Sequence, residues 1–249
     1  MSGHSKWSSI KHKKAATDAK KGQLFTKLAR AIQVAAREGG PDPSGNAALG
    51  TAIEKAREAS MPKDNIQRAI DKGTGAGADA DAFEKVAYEG YGPGGVAILV
   101  EALTYNRNRT GSDMRHLFTK HNGNLGDPGS VAWIFEKKGE IVVDAERFSE
   151  EDLFPAIDAG AEDVNLDENV YEVVTDPAGF ADVRKALEDA GVEFESADVT
   201  MRPNTQVQVE EGHVGTLMRL IEALEDNDDV QAVHANFDVD AEVLERATA

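Results

Sequence analysis

The chain has no cysteine and no long apolar run, and each absence excludes a class of protein. Without cysteine there are no disulfides, thiolate nucleophiles or cysteine-ligated zinc, which suits a reducing compartment. No apolar run approaches the roughly 18 to 20 residues that cross a bilayer. The basic N-terminus also lacks the apolar segment of a secretory signal. Hydrophobic residues nevertheless make up 41% of the 249 residues. We therefore expect a folded, cytoplasmic protein with no membrane partner.

Local signatures of catalysis and metal binding are missing as well. The six histidines are scattered and form no H-x-x-x-H pair. The acidic stretch 226–229 lacks the glycine and distal glutamate of a calcium loop, so we expect a solvated acidic loop there. No G-x-S-x-G occurs. The glycines of "GTGAGA" follow a helix without G-K-[ST], which favours a flexible linker over a phosphate cradle. We expect no enzyme activity, no cofactor, no metal and no small-molecule substrate.

Positive charge is scarce overall but concentrated at one end. The formal net charge is -18, yet residues 1–37 contain nine basic residues and one acidic residue. Residues 1–72 contain 14 basic and 7 acidic residues, which leaves 13 basic and 38 acidic residues for the remainder. Such asymmetry is typical of a polyanion-binding arm on a body that repels polyanions. The alternative is a solvated basic surface that only keeps the chain soluble.

The basic segment predicts contacts with nucleic acid. Lysines neutralise phosphates and release counterions without selecting a sequence. Trp7 can stack on an exposed base, which is easier on RNA or distorted DNA than on an intact duplex. Nothing in the segment resembles a recognition helix for a major groove. The candidate binding residues in this segment are Lys6, Trp7, Lys11, His12, Lys13, Lys14, Lys20, Lys21, Lys27 and Arg30.

A second basic cluster lies in "TYNRNRTGSDMRH", where Arg107 and Arg109 fall at a strand-to-helix junction. A helix N-terminus with nearby guanidinium groups binds phosphate well. The alternative is a capping segment whose arginines form ion pairs with the acidic body. Two functions also remain open for "YEGYGPGG". Its glycines suit either a close backbone approach to another surface or a tight turn into a strand.

Hydrophobic periodicity divides the chain into helical and mixed parts. Three helices are predicted before the linker, and the first is stopped by Gly39 and Gly40. Because Lys13 and Lys14 would fall on the apolar face of that first helix, residues 2–14 are expected to project as an arm. In the third helix, Asp64 is the expected N-cap.

The remaining two thirds predict two units of mixed helix and sheet. Residues 139–203 give the series β-α-β-β-α-β, which is ferredoxin-like. A second such series joins a strand, helix and strand in 96–136 to a strand, helix and strand in the tail. "SVAWIFEKKGEIVVD" is interpreted as two strands joined by a turn at Lys138-Gly139.

The predicted fold class is α+β, with a three-helix domain followed by two ferredoxin-like domains, the third inserted into the second. The expected boundaries are 1–80 for the helical domain, 81–137 with 204–249 for the middle domain, and 138–203 for the insertion.

Three long stretches of the sequence closely resemble the YebC/PmpR family. They are "GHSKWSSIKHKKAATDAKKGQLFTKLARAIQVAAREGG", "YEGYGPGGVAILVEALTYNRNRT" and "GNLGDPGSVAWIFEKKG", and the resemblance covers essentially the whole chain. One mild departure is Pro128, where a small polar residue is expected.

The resemblance implies three domains and a non-enzymatic regulator of gene expression. The family includes proteins described as transcriptional regulators and a mitochondrial translational activator of cytochrome c oxidase subunit I. Promoter DNA is therefore the first implied partner. The alternative is a ribosome-associated translation factor that binds ribosomal RNA or tRNA and relieves stalling at proline-rich sequences.

Overall fold

The computed structural model describes residues 18–75, 83–167 and 169–248. The predicted arm and most of the predicted linker therefore lie outside the described residues. Within them, the chain begins with helices and continues into sheets that are covered by further helices. The predicted α+β class, with a helical region preceding units of mixed helix and sheet, is confirmed.

The helical region consists of α1 (Asp18–Gly39), α2 (Ala47–Glu58) and α3 (Lys63–Gly73). Its apolar core draws on all three helices and is built mainly from Ile32, Leu49, Ile53, Ile66 and Ile70. The chain leaves α1 at Gly40, whose φ of 87° is strained for any side chain with a Cβ.

Asn46 fixes the connection between α1 and α2. Its buried side chain donates to the carbonyls of Ala35 and Gly40 and accepts from the backbone of Leu49, which caps α2. The expected cap of α3 was wrong. The N-cap is Pro62, which has no side-chain bond, and Asp64 lies in the first turn.

The next unit is a four-stranded sheet in the order β3-β1-β2-β9, with neighbouring strands antiparallel. The strands are β1 (Glu84–Tyr91), β2 (Ala97–Thr104), β3 (Asn124–Leu125) and β9 (Val230–Ala235). Gly94 and Gly95, both with φ of 78°, lie in the turn between β1 and β2. This geometry favours the tight-turn interpretation of "YEGYGPGG".

Both faces of this sheet are buried, which explains the unbroken apolar run in β2. Ile98 and Val100 pack against α4 (Arg107–Lys120) and α7 (Glu211–Glu225). Ala97 and Leu99 point the other way and join a smaller cluster with Val131 and Phe135. A strand covered on two sides loses the apolar–polar alternation.

The third unit is a sheet of the order β5-β6-β4-β7, all antiparallel. Its elements follow as β4 (Phe135–Asp144), α5 (Phe154–Asp158), β5 (Asp163–Asp167), β6 (Val170–Thr175), α6 (Phe180–Asp189) and β7 (Ser196–Pro203). This is the predicted β-α-β-β-α-β series. A capping box formed by Ser149 and Asp152, which the spacing S-x-x-D predicts, is present before α5.

Several elements of the two sheet units were predicted wrongly or missed. β1 was not predicted, and it occupies a central place in the sheet. Residues 135–144 form one continuous strand, not a hairpin that turns at Gly139. The first strand predicted in the tail is only the two-residue β8 (Val207–Gln208). It pairs with β10 (Phe237–Asp238) outside the four-stranded sheet. A last helix, α8 (Ala241–Thr248), was also missed.

β9 belongs to the first sheet, but in the chain it follows all four strands of the second sheet. The segment that forms the second sheet therefore lies between two parts of the first. We propose on this basis that 138–203 is an inserted domain and that 81–137 with 204–249 forms its host. In the described ranges, no helix is both long enough and apolar enough to span a membrane.

Candidate nucleic-acid interface

The predicted basic residues fall into two groups relative to the structure. Residues 1–17 lie outside the described part, and with them Lys6, Trp7, Lys11, His12, Lys13 and Lys14. Lys20 and Lys21 belong to the first turn of α1. Lys21 is exposed, and its ammonium lies 5.8 Å from the centre of the Phe25 ring. These two cations continue the basic segment onto the helical region.

Arg30 and Arg109 converge on one carboxylate, that of Asp229, immediately before β9. Arg30 Nη1 lies 2.8 Å from Asp229 Oδ1, and Arg109 Nη2 lies 2.6 Å from Oδ2. The hydroxyl of Thr110 donates to the same Oδ2 at 2.7 Å. We call these four residues the Asp229 cluster. It joins α1, α4 and the loop before β9, so it connects the helical region to the middle sheet.

The arginines and the hydroxyl of the Asp229 cluster stabilise the ionised form of the Asp229 carboxyl. Burial alone would raise the pKa of the Asp229 carboxyl, whose side chain is 4% exposed. Hydrogen bonds from Thr110 and Arg109, with the charges of Arg109 and Arg30, outweigh burial and hold that pKa below its ordinary 3.8. The hydrogen bond to Asp229 in turn raises the pKa of the Arg109 guanidinium. Asp229 is therefore ionised at neutral pH, and the expectation of a solvated loop was wrong for this residue.

Two aromatic rings close the cluster on its other side. The guanidinium of Arg30 lies 5.3 Å from the centre of the Phe83 ring, and that of Arg109 lies 4.6 Å from the Tyr105 ring. Phe83 meets Tyr105 edge to face with ring centres 5.9 Å apart. Each arginine is thus held between a carboxylate and an aromatic face, which fixes its side chain.

Lys27 also binds the protein itself. Its ammonium donates to the carbonyl of Glu225, the last residue of α7, where carbonyls lack helical partners. Gln23, one turn earlier, donates to the carbonyl of Asp226 at 2.9 Å. The side of α1 that carries Lys27 and Arg30 is therefore docked on the end of α7. Their binding to nucleic acid stays a prediction, and so does that of Arg109.

Arg107 differs from Arg109 in its surroundings. It is exposed, and its side chain makes no ion pair or hydrogen bond within the described residues. Asn106 caps α4 by accepting from the backbone of Arg109 at 3.1 Å. Of the two predicted arginines, Arg107 is therefore the one whose charge faces solvent.

A groove between α1 and α3 carries further cations that the sequence did not single out. It has a volume of about 430 Å³, and its rim includes Arg68 and Lys72 of α3. These two lie four residues apart and therefore share one helix face. That spacing was a usable signal once α3 was predicted.

A buried carboxylate organises the loop that carries "GNLGDPGSVAW". Glu89 of β1 is 6% exposed and accepts hydrogen bonds from the backbone amides of Gly129, Val131 and Ala132, each at 2.7 Å. Burial would raise the pKa of Glu89, but the three amides lower it below the ordinary 4.5. The loop leads to Trp133, which is 71% exposed. Sequence reasoning did not predict this arrangement, because β1 was not predicted and a lone glutamate suggests solvent.

Comparisons with known proteins cover almost the whole chain. A family model described as the TACO1/YebC protein N-terminal domain matches residues 5–76, and one described as the TACO1/YebC second and third domain matches 83–237. A protein from Rubrobacter xylanophilus named "Probable transcriptional regulatory protein" is 57% identical over 245 residues, covering 98% of each chain. A protein of Geobacter sulfurreducens with the same designation is 54% identical, covering 99% of each.

A solved structure is similar as well. The crystal structure of a conserved hypothetical protein from Aquifex aeolicus superposes with a TM-score of 0.78 at 50% sequence identity. The match covers 90% of this chain and 92% of that one.

Proposed function

Because this chain belongs to the TACO1/YebC family, we propose that it is a non-enzymatic regulator of gene expression that binds nucleic acid through its basic N-terminal segment. Its relatives carry the name of probable transcriptional regulatory proteins. On that basis promoter DNA is the first candidate partner, and transcription the first candidate process.

The observation that carries the proposal is the local excess of positive charge at one end of an acidic chain. Nine of the 27 basic residues fall within residues 1–37, beside a single acidic one. Release of counterions from a phosphate backbone drives binding to such a segment, while the acidic remainder repels the same backbone. Lys20 and Lys21 lie in the first turn of α1, so this end of the basic segment belongs to the helical region.

A second candidate is a translation factor that acts on structured RNA. Its support is the make-up of the basic segment, in which lysines accompany Trp7 and small polar residues. Direct reading of base edges in a major groove calls for a recognition helix, and nothing in the segment resembles one. Stacking on an unpaired base calls for an aromatic ring.

A salt titration of affinity tests the proposal. If about five cations of the segment meet phosphates, log affinity falls against log salt with a slope of about -3.5 on single strands and -4.5 on duplex. Trp7→Ala separates the two candidates. It is expected to weaken binding to looped RNA by roughly 1–3 kcal/mol without changing the slope, because stacking releases no counterions. On duplex DNA it is expected to change almost nothing. Equal effects on both partners would remove the support for RNA.

A further inference from the structure

The α1–α3 groove combines positive charge with aromatic surface, beside the predicted basic segment. Its cations are Arg68, Lys72 and Arg30, the last of which is paired with Asp229. None of the residues that line the groove is acidic, although the chain contains 45 acidic residues. The groove is therefore a positively charged region on a protein whose net charge is -18.

The shape of the groove suits a small ligand. Its volume of about 430 Å³ is within the range of pockets that hold small molecules, roughly 300–1,000 Å³. Met61, Ala29 and Ala69 supply an apolar floor, and the half-buried Phe25 supplies ring surface. Phe83 is buried against Arg30 and Tyr105. An apolar floor beside an aromatic ring accepts a flat heterocycle by stacking.

Polar groups at the groove match the rest of a nucleotide. Gln33 presents an amide that can bond to a base edge. Arg68 is exposed and is oriented by the side chain of Asn65 and the carbonyl of Asp64. Lys72 is exposed, and its ammonium makes no ion pair in the part of the chain described here. Lys21 stands over the Phe25 ring at 5.8 Å and adds a further cation beside the groove.

From these observations we propose that the α1–α3 groove binds one unstacked nucleotide of a single-stranded nucleic acid. The base lies on the apolar floor against Phe25, and its flanking phosphates meet Arg68 and Lys72. Arg30 is held by Asp229 and shapes one wall. The inference rests on the proposed function, and it names the state of the nucleic acid that this surface recognises. RNA and DNA strands share the chemistry.

The test compares two double variants of the full-length protein. Arg68→Ala with Lys72→Ala removes the charge at the groove. The control is Arg57→Ala with Lys63→Ala. It removes the same charge from exposed positions of α2 and α3, and neither residue lines the groove. Affinity is measured by fluorescence anisotropy against labelled oligouridylate, oligothymidylate of equal length, and a duplex of equal length. Each titration is repeated across a series of salt concentrations.

We expect the groove variant to bind both single strands at least about 5-fold more weakly than the control variant. Its salt slope on single strands should fall by about 1.4, because two phosphate contacts are lost at about 0.7 each. On duplex the two variants should be equal. Phe25→Leu, which keeps an apolar side chain, should weaken single-strand binding about 5-fold or more with an unchanged slope.

Three results would overturn the inference. If wild type binds and the two double variants are indistinguishable, the groove is not a site, while the proposed function stands. If the groove variant loses duplex and single strands equally, the groove contacts phosphates alone. If wild type binds none of the three probes, the proposed function and the inference fail together. The comparison of oligouridylate with oligothymidylate assigns the groove to RNA or to DNA.

Discussion

Asp229→Asn removes the one charge that holds Arg30 and Arg109 together. Asparagine keeps the size of the side chain and one acceptor oxygen, but it replaces the other oxygen with an NH2 donor, so the change removes the charge and one acceptor together. Removing one partner of a buried ion pair costs about 3–5 kcal/mol. Here the Arg30 side chain is 15% exposed and that of Arg109 is 39% exposed, so both can turn partly toward water. We therefore expect a loss of about 2–4 kcal/mol in the free energy of unfolding.

For a chain of this length, each kcal/mol lowers the midpoint of thermal unfolding by about 2–4 °C. The expected drop is roughly 4–16 °C, measured by circular dichroism at neutral pH. The control is Asp228→Asn. Asp228 is the exposed neighbour, and its carboxylate accepts a long hydrogen bond, at 3.5 Å, from the exposed amide of Gln23. It is expected to change stability by less than about 0.5 kcal/mol. Equal midpoints for the two variants would refute the role given to the Asp229 cluster.

The pH dependence of the same pair follows from the lowered pKa of Asp229. Because its pKa is lower in the folded state, the stabilisation is complete above the ordinary value of 3.8. It is lost as pH falls below that value through the folded-state pKa. The stability difference between wild type and Asp229→Asn should therefore be constant from pH 5 to 8 and shrink below about pH 4. A difference that disappears near pH 6 would assign the effect to another group.

The remaining predictions concern a pair of arginines, a loop and an insertion. Arg107→Ala should weaken nucleic-acid binding and leave the thermal midpoint unchanged, whereas Arg109→Ala should lower the midpoint; the reverse pattern would exchange their roles. Glu89→Gln should destabilise the protein by about 1.5–3 kcal/mol, because charge-assisted bonds are lost. Hydrogen exchange should then speed up at the amides of 126–132, and unchanged exchange would contradict this account of the loop. Replacing 138–203 by a short Gly/Ser linker should leave the host sheet folded, and loss of cooperative unfolding in that variant would contradict the proposed insertion.

Local patterns were sufficient where an element is specified by its own residues. α1 ends at Gly39, and the next residue, Gly40, has a positive φ that favours glycine. The box formed by Ser149 and Asp152 precedes α5. In α4, Met114 and Phe118 are fully buried and lie four residues apart, the spacing of one helix face. Each of these signals acts within about four residues, so the sequence alone reveals it.

Other features depend on contacts between distant residues. Gly139 resembled a turn, but it lies inside β4, where a Cβ would collide with Thr175 and Phe180. The glycine is there for close packing and not for a turn. The charge of Asp229 suggested solvent, yet Arg30, its partner, is 199 positions away. The sequence predicted the candidate cations without showing which of them the protein itself engages.

The most direct test of the account is a salt titration of nucleic-acid affinity for wild type and for a variant that lacks residues 2–14. That segment contains four lysines. If it anchors the protein, wild type should show a slope of about -3.5 to -4.5 in log affinity against log salt. The deletion should flatten the slope by up to about 2.8 on single strands and 3.6 on duplex, while circular dichroism shows the folded domains unchanged. If the deletion binds both partners as tightly as wild type and with the same slope, the basic segment is not the nucleic-acid anchor.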